Sequence, residues 1–78
     1  MTVSAYVLIQ TDAGRATDVA EKVREIDGVA SADGVTGPYD VIAYADAVSV
    51  DELGRLVVSK VQLVEGVTRT LTCPIVKL

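Results

Sequence analysis

The sequence predicts an α+β fold, one antiparallel sheet with helices packed on it, from three observations. The first is an internal repeat: Val3, Ala5, Tyr6, Val19, Lys22, Val23, Gly28 and Val29 return 38 residues later as Val41, Ala43, Tyr44, Val57, Lys60, Val61, Gly66 and Val67. No insertion is needed in that pairing. The second is that each half carries the same signals in the same order: an apolar β-rich run, a helix-period stretch, an acidic-Gly-Val turn and a second strand. The third is size. Seventy-eight residues hold a single domain, because splitting the chain would leave neither part an interior.

Each element has a local reason. Residues 3–10 (VSAYVLIQ) are a nearly continuous β-rich run, as expected of a central strand covered on both faces. Thr11, Asp12 and Gly14 mark a turn. Ala16, Val19, Ala20, Val23 and Ile26 then repeat at helical spacing, with charged residues between them, and Asp27-Gly28 ends that helix. Residues 29–36 read as a second strand interrupted by Gly34. Gly37-Pro38-Tyr39-Asp40 is expected to be a tight turn with Pro38 setting its backbone angle. Residues 41–45 form the third strand. Ser49 and Glu52 have the spacing of a capping box, and Leu53, Leu56, Val57, Val61 and Val64 continue the helix it opens until Gly66. Residues 67–77 are the last strand, and Pro74, which has no amide to donate, places it at an edge or on a bulge.

The resulting order, β-α-β-β-α-β with right-handed crossovers, is the ferredoxin-like arrangement: four antiparallel strands, two helices on one face, first and third strands central. Alternation sends Val3, Ala5, Val7 and Ile9 to one face and Tyr6 and Leu8 to the other; Val41, Ala43 and Ala45 likewise oppose Ile42 and Tyr44. Both faces are apolar, yet two helices cover only one. A second copy of the chain is the expected cover for the other, giving a dimeric α+β barrel type. The composition agrees, since half the residues are hydrophobic, more than one small core hides.

Charge and chemistry narrow the function. Eleven acidic residues stand against seven Lys and Arg, and those cations are scattered, so direct nucleic-acid binding is not expected. The one cysteine, Cys73, allows no intrachain disulfide and is read as a small core residue. No signal peptide pattern and no membrane-length apolar run are present, so the expected location is the cytoplasm. With no histidine, the commonest general base near neutral pH is missing, and neither a Cys-x-x-Cys nor a phosphate-binding glycine loop occurs. No cofactor or metal is expected, and no catalytic residue stands out.

The strand VSAYVLIQTDAG, the turn VTGPYDVIAYAD, the stretch from Ser49 to Glu52 and the closing VEGVTRTLTCPIVKL together resemble the effector-binding domain of Lrp/AsnC transcriptional regulators. That domain is also called RAM, for regulation of amino acid metabolism. The resemblance covers essentially the whole chain. Met1 stands directly before the first strand, so the expected form is the domain on its own, without a helix-turn-helix. The resemblance implies dimers that assemble into an octamer or higher ring, an amino acid bound where dimers meet, an indirect action on transcription, and hetero-assembly with full-length regulators.

Five residues are candidates for the ligand. Asp40, at the rim of a hairpin, offers a carboxylate to an ammonium group; its alternative is a turn aspartate bonded to backbone. Gly37 lets backbone approach a ligand, and Tyr39 offers a ring and a hydroxyl. Thr68, Thr70 and Thr72 alternate along the last strand, and Thr70 and Thr72 best match the ligand-contacting region that the resemblance implies. Asp33 and Arg69 are candidates for salt bridges between dimers. Two other readings stand beside the sensor: a cofactor-free enzyme of the dimeric α+β barrel type with a cavity between sheet and helices, and an ACT-type amino-acid module.

Overall fold

Four strands and two helices form in the expected order in a computed structural model that describes residues 2–76. Strand β1 (Val3–Thr11) leads to helix α1 (Ala16–Arg24) and strand β2 (Val29–Gly34). Strand β3 (Val41–Ala47), helix α2 (Val50–Leu56) with a π-helical turn at Val57–Val61, and strand β4 (Val67–Pro74) follow. The sheet order is β2-β3-β1-β4, every neighbouring pair antiparallel. This is the ferredoxin-like arrangement, with β1 and β3 central. Pro74 closes an edge strand, where its missing amide breaks no ladder. The expected extension of that strand to Lys77 lies outside the described residues. No helix among the described residues is long and apolar enough to cross a membrane.

The helix-side face of the sheet is the core. Val7, Ile9, Val41 and Ala43 are sealed from water together with Val19 and Val23 of α1 and Val61 of the π turn. Ala5, Ala45 and Leu53 form a second cluster toward the other end. Each fully buried Val, Leu or Ile contributes about 1.5–3 kcal/mol. The molecule measures 37 × 25 × 17 Å, and its short axis holds only one sheet and one helical layer, for which packed layers need about 10 Å each.

The repeat is visible in three dimensions. Tyr6 and Tyr44 are direct partners across the two central strands, their rings tilted by 55° with centroids 5.4 Å apart. Gly28 and Gly66 both leave a helix with positive φ, 99° and 101°. Each offers its carbonyl to an aspartate amide at the end of a central strand, Gly28 to Asp46 and Gly66 to Asp12, both at 2.8 Å. Those aspartates are not equivalent positions of the repeat, however: Asp46 comes earlier in its half than Asp12 does, and α2 begins correspondingly early. The halves are therefore offset where strand gives way to helix, although their sequences pair without an insertion. At Gly28 the chain also needs glycine for space, because a Cβ there would lie 2.5 Å from Leu56 Cδ1 and 3.2 Å from the Asp46 carbonyl oxygen.

Two further local expectations are modified. Ser49 Oγ accepts the Glu52 amide at 3.1 Å, but the Glu52 carboxylate pairs forward with Arg55 Nη1 at 3.2 Å. Only the serine half of a capping box is in place. The second helix also does not stay α-helical: its end widens so that the Gln62 amide donates to the Val57 carbonyl, five residues back, at 2.9 Å. Leu53, Val57 and Val61, each four apart, are all buried. A four-residue step overshoots a full turn in a 3.6-residue helix, and the wider turn after Leu56 steps back against that drift.

Candidate functional site

The five predicted ligand residues divide between the β2–β3 hairpin, which holds Gly37, Tyr39 and Asp40, and the edge strand β4, which holds Thr70 and Thr72. The hairpin between β2 and β3 is closed by the Val35 amide, which donates to the Asp40 carbonyl at 2.9 Å. This loop is wider than the tight turn expected of Gly37-Pro38-Tyr39-Asp40, and Gly37 occupies φ 141°, a glycine conformation. The loop is tied to β1 at several points. The Asp40 amide donates to the Ile9 carbonyl at 2.9 Å, and Gln10 Nε2 donates to the Pro38 carbonyl at 3.0 Å.

Asp40 itself reaches sideways. Its Oδ2 accepts the Thr11 amide at 2.8 Å and lies 3.4 Å from the Thr11 hydroxyl. The carboxylate therefore satisfies an amide at the end of a neighbouring central strand instead of its own turn. Among the described residues Oδ1 has no such partner, so one oxygen remains for another donor. Tyr39 is half-buried and, with Leu8, Thr36, Gly37, Pro38 and Ile42, lines a hollow of about 390 Å³ on the open face of the sheet.

Thr70 and Thr72 lie opposite Ile9 and Val7, on the helix-covered side of β4, and both are half-buried. Thr68 does not continue their stripe: the ladder slips between Gln10 and Thr11, and Thr68 falls in that irregularity. Thr70 Oγ1 accepts Gln62 Nε2 at 2.9 Å, and the two residues line a hollow of about 380 Å³ with Val67, Thr68 and Arg69. The row Val41–Ile9–Thr70 crosses the sheet. It sets Asp40 and Thr70 about two strand spacings, ~10 Å, apart with β1 between them. One protomer thus unites Gly37, Tyr39 and Asp40 on the hairpin, and holds Thr70 and Thr72 separately at the other edge.

Sequence reasoning missed three residues that position this end: Thr11, Gln10 and Gln62. The first two act across 29 and 28 residues, for which no local pattern exists. Gln62 had no signal either, because its bond to Thr70 joins a helix end to the following strand. Cys73, expected in the core, is exposed. It pairs with Tyr6, so alternation turns it to the uncovered face.

A family model described as the Lrp/AsnC ligand binding domain matches residues 4–77. The chain belongs to that family. A protein of Thermus thermophilus with a crystal structure is 34% identical at a TM-score of 0.90, over 97% of this chain and 95% of that one. An uncharacterized HTH-type transcriptional regulator of Pyrococcus furiosus is 32% identical over 72 residues, which are 88% of this chain and 48% of the regulator. The chain spans about half the length of the curated relatives it matches. A transcriptional regulator of Neisseria meningitidis, solved as a complex with L-Met, superposes at a TM-score of 0.84 with 21% identity, over 96% of this chain and 50% of that one. At that identity the likeness speaks for the fold alone. Within the Lrp/AsnC family this is a regulatory, ligand-binding type of domain.

Proposed function

We propose that this domain senses a small amino acid at the interface between dimers and acts on transcription indirectly, without catalysis of its own. The observation that carries the reading is Asp40: a carboxylate fixed at a hairpin rim by the Thr11 amide, with its second oxygen unengaged among the described residues. A carboxylate held in place forms a strong charge-assisted bond to an ammonium group. Gly37 and Tyr39 share its loop. Thr70 and Thr72 lie across β1 in the same protomer, and a site between dimers takes the two sets from different copies of the chain. The complex of the Neisseria regulator with L-Met supports an amino acid as the ligand class.

The dimer is part of the same reading. Tyr6, Leu8, Ile42, Tyr44 and Leu71 share a face that no helix of the chain reaches, with Tyr6 47% and Leu71 45% exposed. A second sheet covers such a face at the packing distance of a sandwich. Rings of dimers and mixed assemblies with full-length regulators extend this reading. The space between sheet and helices, where an enzyme of this topology holds substrate, is filled here by Val7, Ile9, Val19, Val23 and Val61, which favours the sensor over the enzyme.

Thermal-shift screening against the twenty amino acids tests the proposal. A ligand at a hundredfold excess over its Kd stabilises by about 2.7 kcal/mol, and a rise in Tm with one or a few amino acids is expected. Silence across the panel contradicts the sensor. Asp40→Asn sharpens the test, because an amide oxygen still accepts the Thr11 N–H while the charge is gone. Amino acid affinity is expected to fall at least about tenfold, or 1.4 kcal/mol, with the unliganded Tm little changed. Unchanged affinity removes the ammonium-holding role.

A further inference from the structure

The hollow beside the hairpin limits what an amino acid held by Asp40 can carry. We infer that the ligand's side chain is apolar, up to the size of leucine or methionine, and that it seats in this hollow. The inference rests on the reading that Asp40 takes the ammonium group, and it adds the class of amino acid.

Two parts of the chain build the hollow. Leu8 and Ile42, direct partners across the central strands, supply its sheet side. Val35, Pro38 and Tyr39 supply its loop side. The lining holds no charged and no amide side chain, and its hydroxyl-bearing residues are Thr36 and Tyr39. The loop is pinned at its neck, where the Val35 amide donates to the Asp40 carbonyl at 2.9 Å, and again where Gln10 Nε2 donates to the Pro38 carbonyl at 3.0 Å. Pro38 adds a fixed φ. A wall held this way is formed before a ligand arrives, so little ordering has to accompany binding.

Position ties the hollow to Asp40. That residue follows Tyr39 directly and stands two residues before Ile42, about 7 Å along the chain. The ammonium nitrogen of leucine or methionine and the tip of its side chain are roughly 5–6 Å apart, a few bonds of about 1.5 Å each. One amino acid therefore reaches both. At about 390 Å³ the hollow lies near the lower end of small-molecule pockets, which suits one side chain and excludes a bulkier group. A charged or amide side chain seated there gives up its water and finds a hydroxyl at most, which is unfavourable. An apolar one gains by leaving water. Asp40 thus recognises what all amino acids share, and the hollow discriminates among them.

Calorimetric titration of the full chain with alanine, 2-aminobutyrate, norvaline and norleucine tests the inference. Each added methylene is expected to tighten binding about fourfold. Leucine and methionine should bind at least about tenfold more tightly than asparagine and glutamine, which match them in shape. Thr36→Phe puts a ring into the hollow from an exposed loop position, and the ratio of norleucine to alanine affinity should then fall at least about tenfold. Flat affinities along the series, or a preference for polar or charged side chains, overturn the proposal while leaving the sensor and Asp40 standing. A ratio that Thr36→Phe does not change overturns the hollow as the seat and assigns it another occupant, such as a side chain of the second copy. Failure of every amino acid to bind removes the sensor reading itself and this inference with it, an outcome distinct from the others.

Discussion

The two faces of one sheet have opposite fates in this protein. On β1 and β3 the residues Ala5, Val7, Ile9, Val41, Ala43 and Ala45 are all fully buried, while Tyr6, Leu8, Ile42 and Tyr44 between them are not. The covered face uses small and β-branched side chains, three of them alanine, which let helices sit close. The other face uses tyrosine, leucine and isoleucine, whose bulk no helix of the chain covers. The difference shows that strand composition alone does not decide burial. What decides it is which face the crossovers α1 and α2 reach, and a right-handed connection puts both helices on the same side.

Breaking the covered face should give the largest effect. Ile9→Ala is expected to cost about 2–5 kcal/mol of unfolding free energy, measured by urea denaturation, and the loss should appear at every protein concentration. Next comes the open face. Tyr6→Asp sets a charge beside Tyr44 and should weaken association by about 2 kcal/mol or more. It is read as a fall in mass on dilution, with sheet content by circular dichroism retained. If Tyr6→Asp instead behaves like Ile9→Ala, the contrast between the faces is wrong.

Smaller effects sharpen how the covered side is held. Gly28→Ala forces a positive φ and a contact with Leu56 and the Asp46 carbonyl. It should lower stability by about 1–3 kcal/mol, seen as a drop in Tm. Gly14 serves as the control, since its φ of 78° is also positive but nothing lies near a Cβ there. Ser49→Ala removes the cap of α2 and should cost about 1 kcal/mol in the same thermal measurement, with association unchanged.

Much of this contrast was legible in the sequence, and the reasons are physical. Period-two alternation marked Tyr6 and Leu8 as facing away from Val7 and Ile9, the repeat marked the two central strands, and Pro74 marked an edge. These signals are local or pairwise, and the fold follows them. What was not legible depends on register between distant strands. Cys73 reads as core because its neighbours are apolar, whereas its partner Tyr6 sets its face. The stripe of Thr68, Thr70 and Thr72 breaks because the ladder slips at Thr11. The π turn after Leu56 has no signal in the sequence, because the apolar spacing there reads as an ordinary helix. At the candidate site, Asp40 was legible from the turn, but its bond to Thr11 was not. The separation of Asp40 from Thr70 follows from strand order, and no motif spacing contains it.

The central claim is that the tyrosine-bearing face is covered by another copy of the same chain. Sedimentation equilibrium of the unmodified protein over a dilution series tests it most directly. The account predicts a mass of at least twice the 8.2 kDa protomer, persisting at low micromolar concentration. A folded species that stays at the protomer mass across the whole series contradicts it.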